Sequence, residues 1–400
     1  MAQSKKLSVG IVSCSVPPSC SGQSIVLKRL MIENDDLDCC IFSENLESAA
    51  QGLPKHYSLE VAAPEVHKAA VDVGEGGKTR FIKSYLKMVW KRADELVQGI
   101  RTNRLNLLVA CTGDPLDISA TMVASLRTGK PFFVYLFDDA TYQWTSPRLR
   151  KMCGYIECLW TILAAGAICP NQSLADEYLK RRNLKVKIFA NPSSERRAVN
   201  QAANAQAKKS LESSDDKIKI VYTGSVYHAQ ADAMQNLVKA LTELQGKAEF
   251  HVYSPQPAES KQGYGIDSDL VIWHGLISEE ETLNVQSEAD ILFLPLAFHS
   301  TIQETLMTAL PGKTGEYLSS GTPILVHAPQ GSLLSTMFQD NKAALVVDKP
   351  EAELLKAAIE KITSNKVFSD SLVENAMRES KKFDPVFLKQ ELTKYLRSKV

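Results

Sequence analysis

Lys313 and Glu316 stand three residues apart in the stretch Pro311-Gly312-Lys313-Thr314-Gly315-Glu316-Tyr317-Leu318-Ser319-Ser320-Gly321-Thr322-Pro323, which runs directly into the apolar segment Ile324-Leu325-Val326. Pro311 and Gly312 end whatever precedes, Gly321 suits the left-handed position after a helix, and Pro323 blocks its continuation, so the spacing predicts a short helix from Lys313 to Ser320 feeding a buried strand. Residues three apart share one side of a helix. Backbone N–H groups and the positive end of the dipole at that helix start favour an anion such as a diphosphate, and an adjacent lysine strengthens the preference. An ordinary helix-to-strand connection with solvated Lys313 and Glu316 is the competing reading. Gly312-Lys313-Thr314 is not a phosphate-binding P-loop, because the glycine required five positions before Gly-Lys is Met307. Gly74-Glu75-Gly76-Gly77-Lys78-Thr79 fails the same requirement at Asp72.

The elements that would position these residues emerge from bulk and periodicity. At 400 residues and 44% apolar content the chain is long enough for two cores. Lys plus Arg equals Asp plus Glu at 46 each, so no global field recruits nucleic acid or an anionic membrane. All eight cysteines precede residue 170, without a Cys-x-x-Cys or zinc spacing, and read as reduced thiols of a cytoplasmic protein. No stretch reaches 18 apolar residues, the N-terminal apolar run is too short for a signal peptide, and a soluble protein is expected.

Leu7 to Val12 reads as a first strand. It is followed by a loop of small residues from Ser13 to Ser24 and a helical pattern at Ile25, Leu27, Leu30 and Met31, which together make the first unit of a doubly wound sheet. Gly22 in that loop is a candidate for close backbone approach to a ligand, or a simple turn glycine. From Lys78 to Ile100, Phe81, Tyr85, Leu86, Val89, Ala93, Leu96, Val97 and Ile100 recur at helical intervals and predict one long packing helix. Buried strands follow at Leu105 to Cys111 and Pro131 to Phe137, ending at Asp114 and at Asp138-Asp139. Acids just past buried strands lie at the functional edge of an α/β sheet, although helix capping accounts for any one of them as well. A buried helix leading into a strand over Tyr155 to Ile168, a strand–turn–helix from Ala165 to Arg182 and a strand at Val186 to Ala190 complete the half.

Periodicity then stops in a Ser-, Asn- and Gln-rich stretch that reads as a linker over 196–216. It restarts with a strand at Ile218 to Tyr222, the loop Thr223-Gly224-Ser225 and a helix from Ala231 to Leu244. Strands at Glu249 to Tyr253, Leu270 to Trp273, Ile291 to Leu294, Ile324 to Val326 and Ala344 to Val347 alternate with helices near 279–288, 303–319, 331–338 and 350–363. The expectation is α/β: two Rossmann-like doubly wound domains facing each other across a cleft. The first spans 1–195, the second 217–384, and an apolar-patterned helix over 385–400 returns to pack on the first.

The order of motifs resembles the retaining glycosyltransferases of family 4, which have the GT-B architecture. Tyr222-Thr223-Gly224-Ser225 is similar to that family's first strand and glycine loop, and Val271-Ile272-Trp273-His274-Gly275 to its segment beside the nucleotide base. Ala289 to Pro295 is similar to its buried strand with a terminal proline, and Pro311-Gly312-Lys313-x-x-Glu316-Tyr317-Leu318-x-x-Gly321-x-Pro323 to its donor signature. The resemblance implies that Gly224, Ser225 and Lys313 cradle the diphosphate, with Gly22 and Thr314 also at the donor. It further implies that Glu316 meets the ribose, that His274 and Gly275 lie by the base, and that Asp138-Asp139 falls where related enzymes carry a catalytic pair. Lys313 would stabilise the leaving diphosphate. No metal or cofactor is implied, and the substrate would be a UDP- or GDP-sugar. The partners implied are that donor and a glycan or lipid-linked acceptor, without nucleic acid, in polysaccharide or glycoconjugate biosynthesis at or near the inner membrane face. Thr308 stands where many members carry a glutamate eight positions before Glu316, with Glu304 out of register. A catalytically silent GT-B binding or partner subunit is therefore the alternative, and a P-loop NTPase a distant third. Trp144, Arg148, Arg150 and Lys151 are expected to form a basic and aromatic patch toward a membrane-bound or polymeric acceptor.

Overall fold

Runs of aliphatic residues buried on both sides form parallel strands, and this chain has two sets of them. The computed structural model describes residues 5–19, 21–44, 55–59, 77–144, 146–195 and 217–400. Two compact units divide the chain: Met1–Asn191 with Val386–Val400, and Pro192–Pro385. The segment expected to be a linker, 196–216, lies outside the described residues, as does Cys20.

In the first unit the strands are β1 (Leu7–Val12), β2 (Leu37–Ser43), β3 (His56–Ser58), β4 (Leu107–Cys111), β5 (Phe132–Tyr135), β6 (Gly166–Cys169) and β7 (Lys187–Ile188). They form one parallel sheet in the order β3-β2-β1-β4-β5-β6-β7. The second unit has β8 (Ile218–Thr223), β9 (Ala248–Tyr253), β10 (Val271–His274), β11 (Ile291–Pro295), β12 (Ile324–His327) and β13 (Leu345–Val347), parallel in the order β10-β9-β8-β11-β12-β13. Both are doubly wound sheets. Strand order reverses between β1 and β4 and between β8 and β11, and in such sheets ligands meet the loops at the carboxyl ends beside that reversal.

Side-chain alternation splits the first core into two layers. Leu107, Val109 and Cys111 of β4 face one side, while Leu108 and Ala110 face the long helix Gly77–Asn103 on the other. Gly99 of that helix lies so close to the Phe42 ring that a side chain there would collide with it. The carboxyl-terminal helix Pro385–Arg397 inserts Leu388, Leu392 and Leu396 into the layer that contains Val9, Ile11 and Phe133. Its Tyr395 meets Phe133 edge-on at 5.6 Å, and Asn34 Nδ2 donates to Thr393 Oγ1 at 3.1 Å.

Several elements differ from the sequence expectation. The region read coarsely as helical over 303–319 is two helices, Gln303–Thr308 and Thr314–Leu318, the second lying inside the short helix expected from Lys313 to Ser320. Pro311 disfavours helical backbone at the residue before it, and the chain has already turned extended at Ala309. Strand β2, strand β3 and the helices Pro115–Thr128 and Lys366–Glu379 carry no signal used above. Pro115–Thr128 is buried on more than one side, from Leu116 through Met122, so it lacks an amphipathic period. Leu86, counted above with the packing stripe of the long helix, is exposed instead.

Because Leu392 is fully buried, Leu392→Ala should destabilise the first unit by about 2–5 kcal/mol. Urea denaturation followed by circular dichroism measures this, and a cost under about 1 kcal/mol would show that the terminal helix adds little to that core.

Candidate functional site

Thr223 ends β8 beside the strand-order reversal of the second unit, and the chain leaves it through Gly224 at φ +113°, a backbone region that strains residues with a Cβ. Gly224 N–H donates to the Tyr253 carbonyl at 2.8 Å, which ties the loop to the end of β9. Gln256 fastens the next residue, since its Nε2 donates to the Val226 carbonyl at 3.1 Å and its Oε1 accepts from Val226 N–H at 3.3 Å. The Tyr222 hydroxyl donates to the Ser225 carbonyl at 2.6 Å. Backbone and side-chain bonds thus fix the Gly224-Ser225 loop from three sides.

Lys313 reaches this loop from the next segment. Its ammonium lies 3.6 Å from the centre of the Tyr222 ring, and a Cβ on Gly224 would approach Nζ to 3.0 Å. Although Lys313 is only half-buried as a residue, its ammonium is enclosed. Burial pushes its pKa down to about 7, against the opposing pull of the Glu316 carboxylate. Glu316 is buried and accepts from Gln286 Nε2 at 3.4 Å, and the same Nε2 donates to Thr223 Oγ1 at 3.0 Å. The Tyr317 hydroxyl accepts from Thr223 N–H at 2.9 Å. Gly315 has no room for a side chain against Phe383, which backs this turn. The helix is only five residues, so any preference for an anion at this turn would rest on Lys313 and the glycine loop rather than on an extended helix dipole. Thr314 is fully buried with its hydroxyl donating to the Pro311 carbonyl at 2.6 Å, so it holds the turn in place.

At the carboxyl end of β10, His274 stacks on Tyr253 with ring centres 4.2 Å apart and 7° between planes. His251 continues the stack, bonded through Nδ1 to His274 Nε2 at 3.0 Å. Burial, followed by the nearby Lys219 and His274, lowers His251 to about 4, and burial and Lys219 lower His274. This is an uncharged, flat ledge at neutral pH. Gly275 beside it is exposed. The structure therefore brings Gly224, Ser225, Lys313 and Glu316 together and sets His274 along the same sheet edge through Tyr253. Tyr222, Tyr317, Thr223, Gln286, Tyr253 and His251 belong to this arrangement and were not singled out in the sequence. Tyr222 and Tyr317 were quoted only as parts of motifs, and nothing local distinguishes them from core residues.

The first-unit candidates are placed differently. Asp138 lies past β5 with part of its surface exposed, yet its carboxyl is enclosed, and burial, followed by the neighbouring Asp139, raises its pKa. Asp139 is not its equivalent: Oδ1 accepts from Thr141 and Tyr142 N–H, both at 2.9 Å, and Oδ2 accepts from Arg181 at 2.9 Å. Fully buried Glu157 completes that cluster with Arg181 and Arg182. Asp114 caps the helix Pro115–Thr128 by accepting from Leu116 N–H at 2.8 Å. Gly22 is exposed at the start of a helix with open space around it, so close packing does not require glycine there. In the expected basic patch, Trp144 donates to the Ala140 carbonyl and Arg150 to the Trp144 carbonyl, so both hold a local turn. Among the described residues no group of His, Cys, Asp and Glu is arranged to hold a metal ion.

Residues 217–365 match the family model described as Glycosyl transferases group 1. The matched segment, which lies within the second unit, is therefore similar to the group 1 glycosyltransferases. No curated protein matches the chain in sequence. Sucrose-phosphate synthase from Thermosynechococcus elongatus is similar in structure, with TM-score 0.70, 15% identity, and 98% of this chain and 99% of that one covered. HepE of Anabaena in complex with UDP-glucose gives 0.66 and 11%, covering 98% and 100%. A glycosyltransferase from Rickettsia africae gives 0.62 and 11%, covering 98% of each. At these identities the likeness shows the fold, which is GT-B.

Gly224→Ala should cost about 1–3 kcal/mol, mostly from forcing a Cβ into a positive-φ conformation. A thermal melt unchanged from wild type would mean that the loop relaxes freely and that Gly224 is not required for its shape.

Proposed function

We propose that the second unit binds the donor of the transfer reaction, with the diphosphate held by the Gly224-Ser225 loop and Lys313, the ribose by Glu316, and the base beside His274 and Gly275. The observation that carries this reading is the enclosed Lys313 ammonium against a positive-φ glycine at the strand-order reversal. A desolvated cation beside a pinned loop is preorganised for an anion and gains most as negative charge develops on the leaving diphosphate. Glu316, buried at the same turn, can accept from sugar hydroxyls. The neutral Tyr253–His274–His251 ledge offers a flat face to a heterocycle without charge preference. HepE, of the same fold, is a complex with UDP-glucose, which supports a nucleotide sugar such as a UDP- or GDP-sugar as the donor here.

The sugar would pass with retention to a hydroxyl of a glycan or lipid-linked acceptor, in polysaccharide or glycoconjugate biosynthesis. Asp138, partly exposed at the carboxyl edge of β5, is the first-unit acid placed to meet that acceptor, and Asp139 orients the turn that presents it. A binding-only subunit is the second reading, favoured by Thr308, whose hydroxyl donates to the Thr305 carbonyl at 3.1 Å where a carboxylate was expected.

Calorimetric titration with UDP and GDP tests the donor site. Glu316→Ala should weaken the nucleotide by about 1.5–3 kcal/mol, as for a hydrogen bond to a charged group, while Lys313→Ala should mainly lower the transfer rate. Wild-type affinity and rate in both variants would rule out this site. Donor hydrolysis by the wild type separates an enzyme from a silent subunit.

A pH dependence follows from Lys313. With its pKa near 7 in the free protein, the group is mostly neutral above that pH and must take up a proton to face a diphosphate. Nucleotide affinity should therefore fall between pH 7 and 9, by at most about tenfold per pH unit, and this group should contribute no slope below pH 6. Titration at pH 8 in buffers of different ionisation enthalpy should show proton uptake in the wild type and none in Lys313→Ala. Equal uptake in both would place the titrating group elsewhere.

A further inference from the structure

The long helix Gly77–Asn103 has two sides of different use. Tyr85, Val89, Ala93, Leu96, Val97 and Ile100 fill the first core. On the outer side Ile82 (55% exposed), Leu86 (51%) and Trp90 (55%) repeat every four residues and leave large apolar surfaces in water. Exposed Lys83, Lys87 and Lys91 form a parallel row one position on. Between Ile82 and Ala93 the exposed charges are Lys83, Lys87 and Lys91, with no acid, while Arg92 is buried against Asp117.

The neighbouring helices extend this surface. Pro115–Thr128 packs on the long helix and Pro147–Leu163 packs on Pro115–Thr128, so the three form one layer over the sheet. The third helix exposes Tyr155, Leu159 and Ile162, with Arg148 and Lys151 one to two turns before them. The acids of the three helices are Asp94, Glu95, Asp117 and Glu157. Asp117 and Glu157 are buried, and Asp94 is paired with Arg127 at 2.6 Å. Arg127 in turn lies 5.9 Å from the Trp90 ring centre.

We propose that this helix layer is a membrane-docking face that binds anionic lipid headgroups through Lys83 and Lys87 and seats Ile82, Leu86 and Trp90 at the headgroup–acyl boundary. A row of lysines beside an apolar row on one helix is the arrangement that interfacial helices use, and tryptophan favours that depth. Charge decides the occupant. The chain is neutral overall, yet cations outnumber acids on this face, and a zwitterionic surface would not reward that excess. Docking holds the chain on a bilayer without a span; no helix among the described residues is long and apolar enough to cross one. The inference does not depend on the donor-site assignment, and it fits a lipid-linked acceptor.

Vesicle sedimentation of the full chain provides the test, with phosphatidylcholine alone and with about one-third phosphatidylglycerol. Binding is expected only with the anionic lipid and should weaken as salt rises. Lys83→Glu with Lys87→Glu should weaken it about 25-fold or more, since each basic residue at an anionic surface is worth about fivefold. The same reversal at exposed Lys349 and Lys399 should change it little. Brominated lipid should quench tryptophan fluorescence in the wild type and much less in Trp90→Phe. Absence of binding at low salt, equal binding by the Lys83/Lys87 and control variants, or a face whose substitutions alter only self-association in sizing experiments would each overturn the proposal. Unchanged thermal melts of these surface variants establish that folding is not the cause.

Discussion

An ammonium held over an aromatic ring next to a glycine loop organises the second unit. Lys313 lies against Tyr222, whose own hydroxyl fixes the Ser225 carbonyl, and Thr223 between them is tied through Tyr317 and Gln286 to the turn that carries Glu316. These links converge on one edge of one sheet. Moving any of them displaces either the cation or the loop it faces, so the arrangement is rigid, as the proposed anionic ligand would require. Rigidity of this kind lets charge act without reorganisation, and enclosure strengthens it by excluding water.

The first unit uses its buried charges differently. Arg92, nearly inaccessible, is bonded to Asp117 at 2.6 Å, with Asp114 at 3.7 Å and Glu44 also in contact. Glu157 is fully buried among Arg181, Arg182 and the Thr141 hydroxyl. Both clusters lie where helices meet the carboxyl edge of the sheet and fix the loops there. Removing one member of a buried pair leaves a charge without its partner, which is far costlier than the pair's net contribution. Asp114 and Asp139 are therefore best understood as fixing backbone.

Much of the fold was legible because it rests on local rules. Apolar runs such as Leu107–Cys111 and Ile291–Pro295 are short and bounded by turn signals, which favours strands buried on both sides, and Pro and Gly punctuate the segment from Pro311 to Pro323. Where reading failed, two local signals were equivalent. The helix Pro115–Thr128 is too uniformly buried to show a period, and an apolar residue on the outside of a helix, Leu86, looks the same in sequence as one on the inside. Acids past a strand end were ambiguous for the same reason, since a capping Asp114 and a partly exposed Asp138 occupy equivalent positions in the chain.

The sequence by itself determined the alternation of strands and helices and the position of the Lys313–Glu316 turn and its glycine loop, because each depends on residues close together. Only the tertiary structure decided which side chains surround Lys313 and hence its lowered pKa, which of two adjacent aspartates is held by Arg181, and which rows of the long helix face water. Those outcomes depend on contacts between segments tens of residues apart. Tyr222 and Lys313 meet because strand order reverses between β8 and β11, and no local pattern records that reversal.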